Sequence, residues 1–593
     1  MTVSDSPKAP AKPRDMVQVV LLLFLVGVVL PLCVASYYGA LGIPRSDDWS
    51  YLVSLFRWVD SGTLAFNDWV SMTLVGQLVI TAPLVALVGQ SIWAVQIFAS
   101  LIGFVGLLAV VWLGRIVIPM GRGALLLAVT IALGPLWAPL AATYMTDVPA
   151  FAAQMITLVL AASALRRTPL SIPLFAAAMF VGFIGISIRQ YGVIPVIAIV
   201  VIAVWSCART GDRARLRTVL ALSAATALCT LALLFWWSGL PDSLSLAPKP
   251  PASGASAMLF IQGAGFLRLT GLLLLPVILF ANPIAIFRRA WSASAATSGA
   301  VVGLVSGWLL VAYVRVPAVP FVGNYIDRHG VLADDVLIGH RVLNGERPPV
   351  IPTYLFDLLA LIGSVGGLLL ALAAVPYVVR LASRLQSRES VEIDAQGSLL
   401  VLTLIGFVVA YAVALITGLP IFDRYALLTI PIVGLLLLRT TAHAAVTESL
   451  QHSDAQTRRA TARCWAGAIV TLTALGLVGL AFSTDSASFD ATRWEVATKA
   501  TERGYAPLDV YGGFEWLAYH RQRGPRLSKN QVERQHFRSQ DFQNLCVDLV
   551  VNPIQRIAVR GIARGEVRGL AHKPVLIVAV PNDQTCLSDL TRG

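Results

Sequence analysis

Three aspartates and two arginines stand where this chain could do chemistry. The segment Arg45-Ser-Asp-Asp-Trp-Ser-Tyr51 places Asp47 beside Asp48 just after an apolar run, and Thr143-Tyr-Met-Thr-Asp147-Val-Pro149 places a third acid before another. Adjacent carboxylates at the edge of a low-dielectric region repel each other and lose hydration, so such a pair needs compensating partners. Each acid also has a plain structural account: an interfacial cap or solvated turn for the pair, and an N-cap for Asp147, which precedes Val148 and Pro149 at a helix start. Capping and chemistry are compatible, because a capped acid is also a positioned one. Arg189, in Arg189-Gln-Tyr-Gly192, and Arg424, in Phe422-Asp-Arg-Tyr425, lie at the ends of later apolar runs, where snorkelling to the interface is the plain account.

The elements that must hold these residues are membrane helices. The chain has 593 residues, of which 57% are hydrophobic and 13% charged, with mean hydropathy +0.74, values foreign to a soluble domain. The net charge of +13 does not indicate nucleic acid, because the basic residues sit in short clusters between apolar runs and suit the anionic cytoplasmic leaflet. Applying a length of about 20 residues per span predicts about thirteen spans. They begin near Val17, Ile92, Gly123, Val148, Leu170, Tyr191, Thr218, Gly265, Thr297, Tyr354, Ser398, Tyr425 and Trp465. The first run follows Lys8, Lys12 and Arg14 without a small-residue cleavage site, so it is expected to be a retained span, not a signal peptide. With a cytoplasmic N-terminus, the cytoplasmic connections carry clusters such as Arg166 with Arg167, Arg213 with Arg215 and Arg217, and Arg458 with Arg459 and Arg463. That orientation puts both acidic motifs and the C-terminus outside.

The resulting organisation is a disordered leader (1–15), a membrane domain (16–482) and a small extracytoplasmic α/β domain (483–593). Outer loops occupy 42–91, with amphipathic pieces along the interface, and 315–352. In the last region, β-rich runs at Leu508 to Tyr511, Cys546 to Val551 and Val575 to Val580 alternate with helix-like segments such as Ala491 to Arg503. Gly512-Gly-Phe-Glu-Trp516 reads as a turn into a packed helix. Cys33, Cys207, Cys229 and Cys464 lie in or beside spans, whereas Cys546 and Cys586 fall in the domain placed in an oxidising compartment and are expected to form a disulfide.

Taken in order, Asp47-Asp48 with Tyr51, Thr146-Asp-x-Pro149, Arg189-Gln-Tyr-Gly192 and Phe422-Asp-Arg-Tyr425 resemble the GT-C glycosyltransferases of the protein mannosyltransferase and aminoarabinose transferase superfamily. The resemblance extends over nearly all the hydrophobic part. It implies a polytopic helical GT-C-like fold and transfer of a sugar from a polyprenyl-phosphate donor to an envelope glycan, lipid or protein at the outer face of a bacterial cytoplasmic membrane. Asp47 would then be the general base that deprotonates an acceptor hydroxyl, with inversion at the anomeric carbon, while Asp48 and Asp147 orient the acceptor or hold a divalent ion (Mg, Mn or Ca). Arg189 and Arg424, with Tyr51, would bind the donor phosphate. Tyr325, Arg328, His329, His340 and Arg341 in the second outer loop are further candidates for sugar or phosphate contact, against the plain account of a solvated loop.

The competing function is a polytopic transporter or lipid flippase. It predicts charges at mid-depth in the spans, which are nearly free of them here; the charges gather at the outer rim. A third reading, an assembly or sensor module, would use the Gly512 to Trp516 segment as a recognition loop.

Overall fold

A computed structural model describes residues 13–64, 66, 70–118, 121–239, 254–317, 320–331, 334–335, 340–341, 343–387, 394–419, 421–449, 454–522, 545–570 and 572–582. Every expected apolar run is helical. Among the described residues, eleven helices are long and apolar enough to cross a membrane, and Arg122–Leu133 and Ile172–Ile188 are shorter apolar helices that correspond to the runs expected near Gly123 and Leu170. The helix expected near Gly265 begins earlier, at Ala255.

Close helix contacts follow from small residues. Gly106 lets helix Ile92–Val117 lie directly on helix Asp147–Leu165: a side-chain carbon there would come within 2.8 Å of the Ala152 backbone. The first span carries a π-helical turn at Leu25–Val29, and the Gly27 carbonyl accepts a 2.9 Å hydrogen bond from the Trp137 indole. Trp137 in turn packs edge-on against Phe151, so the first span is tied to the start of the helix that bears Asp147. The expectation of nearly uncharged spans has an exception in Arg268, whose guanidinium is buried and donates to Ser364 Oγ, the Pro320 carbonyl and the Leu309 carbonyl. All three nitrogens are occupied, as a membrane interior requires.

The first long loop differs from its expected interfacial lie. Asp48–Ser61 is a helix whose residues from Asp48 to Phe56 are all buried, and Val75–Val88 is a second, largely apolar helix. The burial has a visible cause. Trp49 and Val53 belong to the apolar core of the C-terminal region, with Phe489, Trp494 and Trp516, and aromatic side chains of this size dominate the energetics of a small core.

The final span does not stop at Ser483. Helix Asp454–Thr501 runs through that position as one element of 48 residues, roughly 70 Å long at 1.5 Å per residue. Its last turns carry a five-stranded sheet. Val547–Val551 pairs antiparallel with Val575–Pro581, which pairs antiparallel with Ala563–Val567. The other edge of Val547–Val551 receives two short parallel strands, Val510–Tyr511 and, from the second long loop, Asn344–Gly345. Strand Ala563–Val567 was not evident in the sequence because Arg564, Gly565 and Glu566 break its apolar alternation. The Gly512-Gly513 turn leads into helix Phe514–Gln522. Cys546 is disulfide-bonded, and its expected partner, Cys586, lies outside the described residues.

Candidate active site

Asp47 is the residue before helix Asp48–Ser61, so its side chain projects from a helix start, not from a flexible turn. Its Oδ2 lies 3.1 Å from Arg424 Nη2, and the aspartate side chain is 19% exposed against 5% for the arginine. Arg424 occupies a single 3-10 turn, Asp423–Tyr425, that opens the next apolar helix. Its guanidinium lies 4.9 Å from the Phe422 ring and 5.9 Å from the Tyr325 ring. Nε and Nη1 of Arg424 are buried without a hydrogen-bond partner among the described residues. A buried guanidinium N–H left unpaired is costly, so these two donors are poised for an acceptor.

Asp147 and Arg189 form the second pair, 2.5 Å apart and both nearly fully buried. The expected capping arrangement shifts by one residue: Thr146 is the N-cap and Asp147 the first helical residue. The Thr146 side chain makes no cap hydrogen bond, and Asp147 Oδ1 accepts from Arg189. Asp147 Oδ2 has no partner among the described residues. Arg189 leaves helix Ile172–Ile188 in an extended conformation, and its guanidinium stands 5.0 Å from the Tyr425 ring. The late first loop holds it there: the Leu74 N–H donates to the Ile188 carbonyl, Thr73 Oγ1 to the Ile186 carbonyl, and Gln190 Nε2 to the Ser71 carbonyl.

Tyr51, one turn into the first-loop helix, is buried among these charges and within electrostatic reach of Asp47, Arg189, Arg424 and Asp147. Burial pushes its phenol well above the ordinary tyrosine range, with Asp47 adding to the rise, so it is a neutral hydroxyl here. Asp47, Asp147, Arg189, Arg424 and Tyr51 are therefore brought together.

Asp48 is not a free member of this group. It is fully buried, its Oδ1 accepts from the Arg45 N–H at 2.5 Å, and its Oδ2 accepts from the Tyr144 N–H at 3.1 Å. Burial pushes its carboxyl up to about 7, opposed by those two donors and by the Arg45 guanidinium. Oδ2 thus fastens the first loop to the segment leading into Asp147, while Oδ1 closes a contact within the loop itself. Asp48 accepts from two backbone N–H groups, Asp147 pairs with Arg189 through one oxygen, and Asp47 pairs with Arg424. Among the described residues no group of three His, Cys, Asp or Glu side chains is spaced to hold a metal.

The second-loop candidates divide. Tyr325 reaches the site: it is buried beside Arg424, and burial raises its phenol pKa. Arg328 is turned to Asp357 at 3.0 Å, and His329 lies 3.7 Å from Asp327. His340 and Arg341 form a two-residue strand paired with Asp334 and Asp335, and their side chains lie outside the described residues. Asp423, quoted only as part of its motif, proves to be the anchor of this loop, since its Oδ2 accepts the N–H groups of both Tyr325 and Ile326, at 2.8 and 2.5 Å. Tyr191, Tyr411 and Tyr425 form an aromatic wall beside Arg189, with ring centroids 5.5 to 6.3 Å apart. The sequence signal for Tyr191 and Tyr425 was their place in the arginine motifs; Tyr411, inside an apolar run, carried none.

No protein-family model and no curated protein matches the chain. Among solved structures it is similar to ArnT from Cupriavidus metallidurans bound to undecaprenyl phosphate, at 14% identity and TM-score 0.42, covering 96% of this chain and 98% of that one. It is likewise similar to apo ArnT from the same organism, at 14% identity and TM-score 0.40, covering 95% and 98%.

Proposed function

We propose that the chain is an integral membrane glycosyltransferase that moves a sugar from a polyprenyl-phosphate donor to a hydroxyl of a cell-envelope acceptor on the extracytoplasmic face. The observation that carries this reading is the double role of Arg424: one nitrogen holds Asp47, and two buried nitrogens await an acceptor. A carboxylate able to take a proton and a guanidinium able to bind phosphate oxygens are therefore one hydrogen bond apart.

The charges balance through the reaction. Asp47 takes the proton of the acceptor hydroxyl as its oxygen bonds to the anomeric carbon, while the bond from that carbon to the phosphate oxygen breaks. The donor phosphodiester, with one negative charge, becomes a phosphomonoester with up to two. Protonation of Asp47 releases Arg424 from its carboxylate as that extra charge develops on the leaving phosphate. Arg189, held by Asp147, supplies a second positive centre, and no step requires a metal. The transporter reading has less support, since the buried span residue Arg268 is fully occupied by structural acceptors.

Incubating the purified chain with a panel of polyprenyl-phosphate sugars, undecaprenyl phosphate carriers among them, and measuring released polyprenyl phosphate tests the proposal. Asp47→Asn is expected to reduce transfer about 10²–10⁴-fold, the usual worth of a general base, with the folded protein retained. Full activity in that variant refutes the base assignment.

A further inference from the structure

We infer that Asp490 and Ser486, on the part of helix Asp454–Thr501 beyond the sequence-predicted end of the last span, are positioning residues for Asp47, acting through Arg45. This rests on the proposed transfer reaction and assigns the C-terminal helix a part in it. Arg45 lies two residues before Asp47 and is 3% exposed. Its Nε donates to Asp490 Oδ2 at 2.9 Å and its Nη2 to Ser486 Oγ at 2.8 Å. These positions are one turn apart on the helix, so the planar guanidinium fork spans both.

The grip is passed on through backbone. The Arg45 N–H donates to Asp48 Oδ1, and the Asp48 N–H donates back to the Arg45 carbonyl at 3.2 Å. Ser46, between them, sits at φ 55°, a left-handed conformation that a serine holds only when its surroundings impose it. Asp490 is itself fixed, because its other oxygen accepts from Arg493, which is also paired with the fully buried Glu515. The chain of contacts therefore runs from the C-terminal core to the residue that starts the first-loop helix. Releasing it lets the loop relax at Ser46 and moves the Asp47 carboxylate away from Arg424.

A displacement of about 1 Å at a reacting group can cost on the order of 10²-fold in rate. Two measurements on the full chain in detergent test the inference. Hydrogen exchange of the Arg45 to Tyr51 amides reads the clamp whether or not sugar is moved, and transfer kinetics read its use. In Asp490→Asn and in Ser486→Ala, exchange in that segment is expected to rise several-fold. The kcat is expected to fall about tenfold or more, with KM for the lipid donor within about twofold. In Arg45→Ala, added methylguanidine is expected to restore part of the lost kcat, which a merely structural role would not permit. Unchanged exchange in both variants, or unchanged kcat in a variant whose exchange has risen, overturns the inference. Should Asp490→Asn not fold, Ser486→Ala, which removes a single hydroxyl, decides alone. A wild-type chain that uses no polyprenyl-phosphate donor refutes the transfer reaction instead, and the exchange result still stands.

Discussion

At the scale of single residues, the site is built from charges that neutralise one another across great sequence distance. Asp47 and Arg424 are 377 positions apart, and Asp147 and Arg189 are 42 apart. Burying either aspartate alone would be prohibitive; pairing makes it tolerable and leaves the arginines oriented. Arg189→Ala should therefore destabilise the protein by about 3–5 kcal/mol, the cost of stranding a buried charge, and Arg189→Ala with Asp147→Ala should recover part of the loss. Thermal unfolding of the detergent-solubilised variants measures both; equal midpoints for Arg189→Ala and wild type would contradict the buried pair. The acids and arginines were legible in the sequence because charged residues at span ends stand out against apolar runs. Which acid does what was not. Asp47 and Asp48 are neighbours of the same type, yet one meets a guanidinium and the other two backbone amides, and only the fold of Tyr144 onto the first loop separates them.

At the scale of elements, loops that look solvated in sequence are fastened from distant helices. The second long loop is held at Tyr325 and Ile326 by the Asp423 carboxylate, and its strand Asn344–Gly345 joins the C-terminal sheet. Asp423→Ala would leave two buried N–H groups without an acceptor, at roughly 1–3 kcal/mol each. Faster exchange at residues 324 to 330, with the membrane helices unaffected, is the expected result, and unchanged exchange there would remove Asp423 as the anchor. Span count was legible because twenty apolar residues in a row have few other uses. The buried lie of the first loop was less so. Helix Asp48–Ser61 mixes polar and apolar residues in the manner of an interfacial helix, and its burial depends on Trp49 meeting a core made from residues more than 400 positions later.

At the scale of the whole molecule, the helical membrane part and the C-terminal sheet are joined by buried polar contacts as well as by chain. Asp485, buried on the long helix, accepts from Arg347 of the second loop at 2.6 Å and from His572, just before strand Val575–Pro581, at 2.8 Å. The hydrogen bond that His572 donates to Asp485 raises its pKa above the ordinary 6.5, with burial opposing and Arg347 lowering it. A raised folded-state value means that this contact contributes fully below about pH 6.5 and is lost as pH rises through the folded value. Wild-type stability should accordingly fall over that window, while His572→Gln should show a flatter profile. Parallel pH profiles for the two proteins would exclude the contact as a titrating tie. The α/β character of the last region was legible from its β-rich runs; its attachment was not, since the helix that carries it passes from apolar to polar sequence without any helix-breaking residue between Phe482 and Trp494.

That unbroken helix has a mechanical consequence. A rod with no joint cannot let the sheet swing open like a hinged cover, so in the proposed reaction entry of the lipid donor would require yielding elsewhere, at the side of the bundle or in the loops. The same rod works as a depth gauge. Any tilt forced on it by a thicker or thinner bilayer would carry Ser486, Asp490 and the tethered Asp47 carboxylate as one body, which in the proposed reaction would move the proton acceptor together with the sheet.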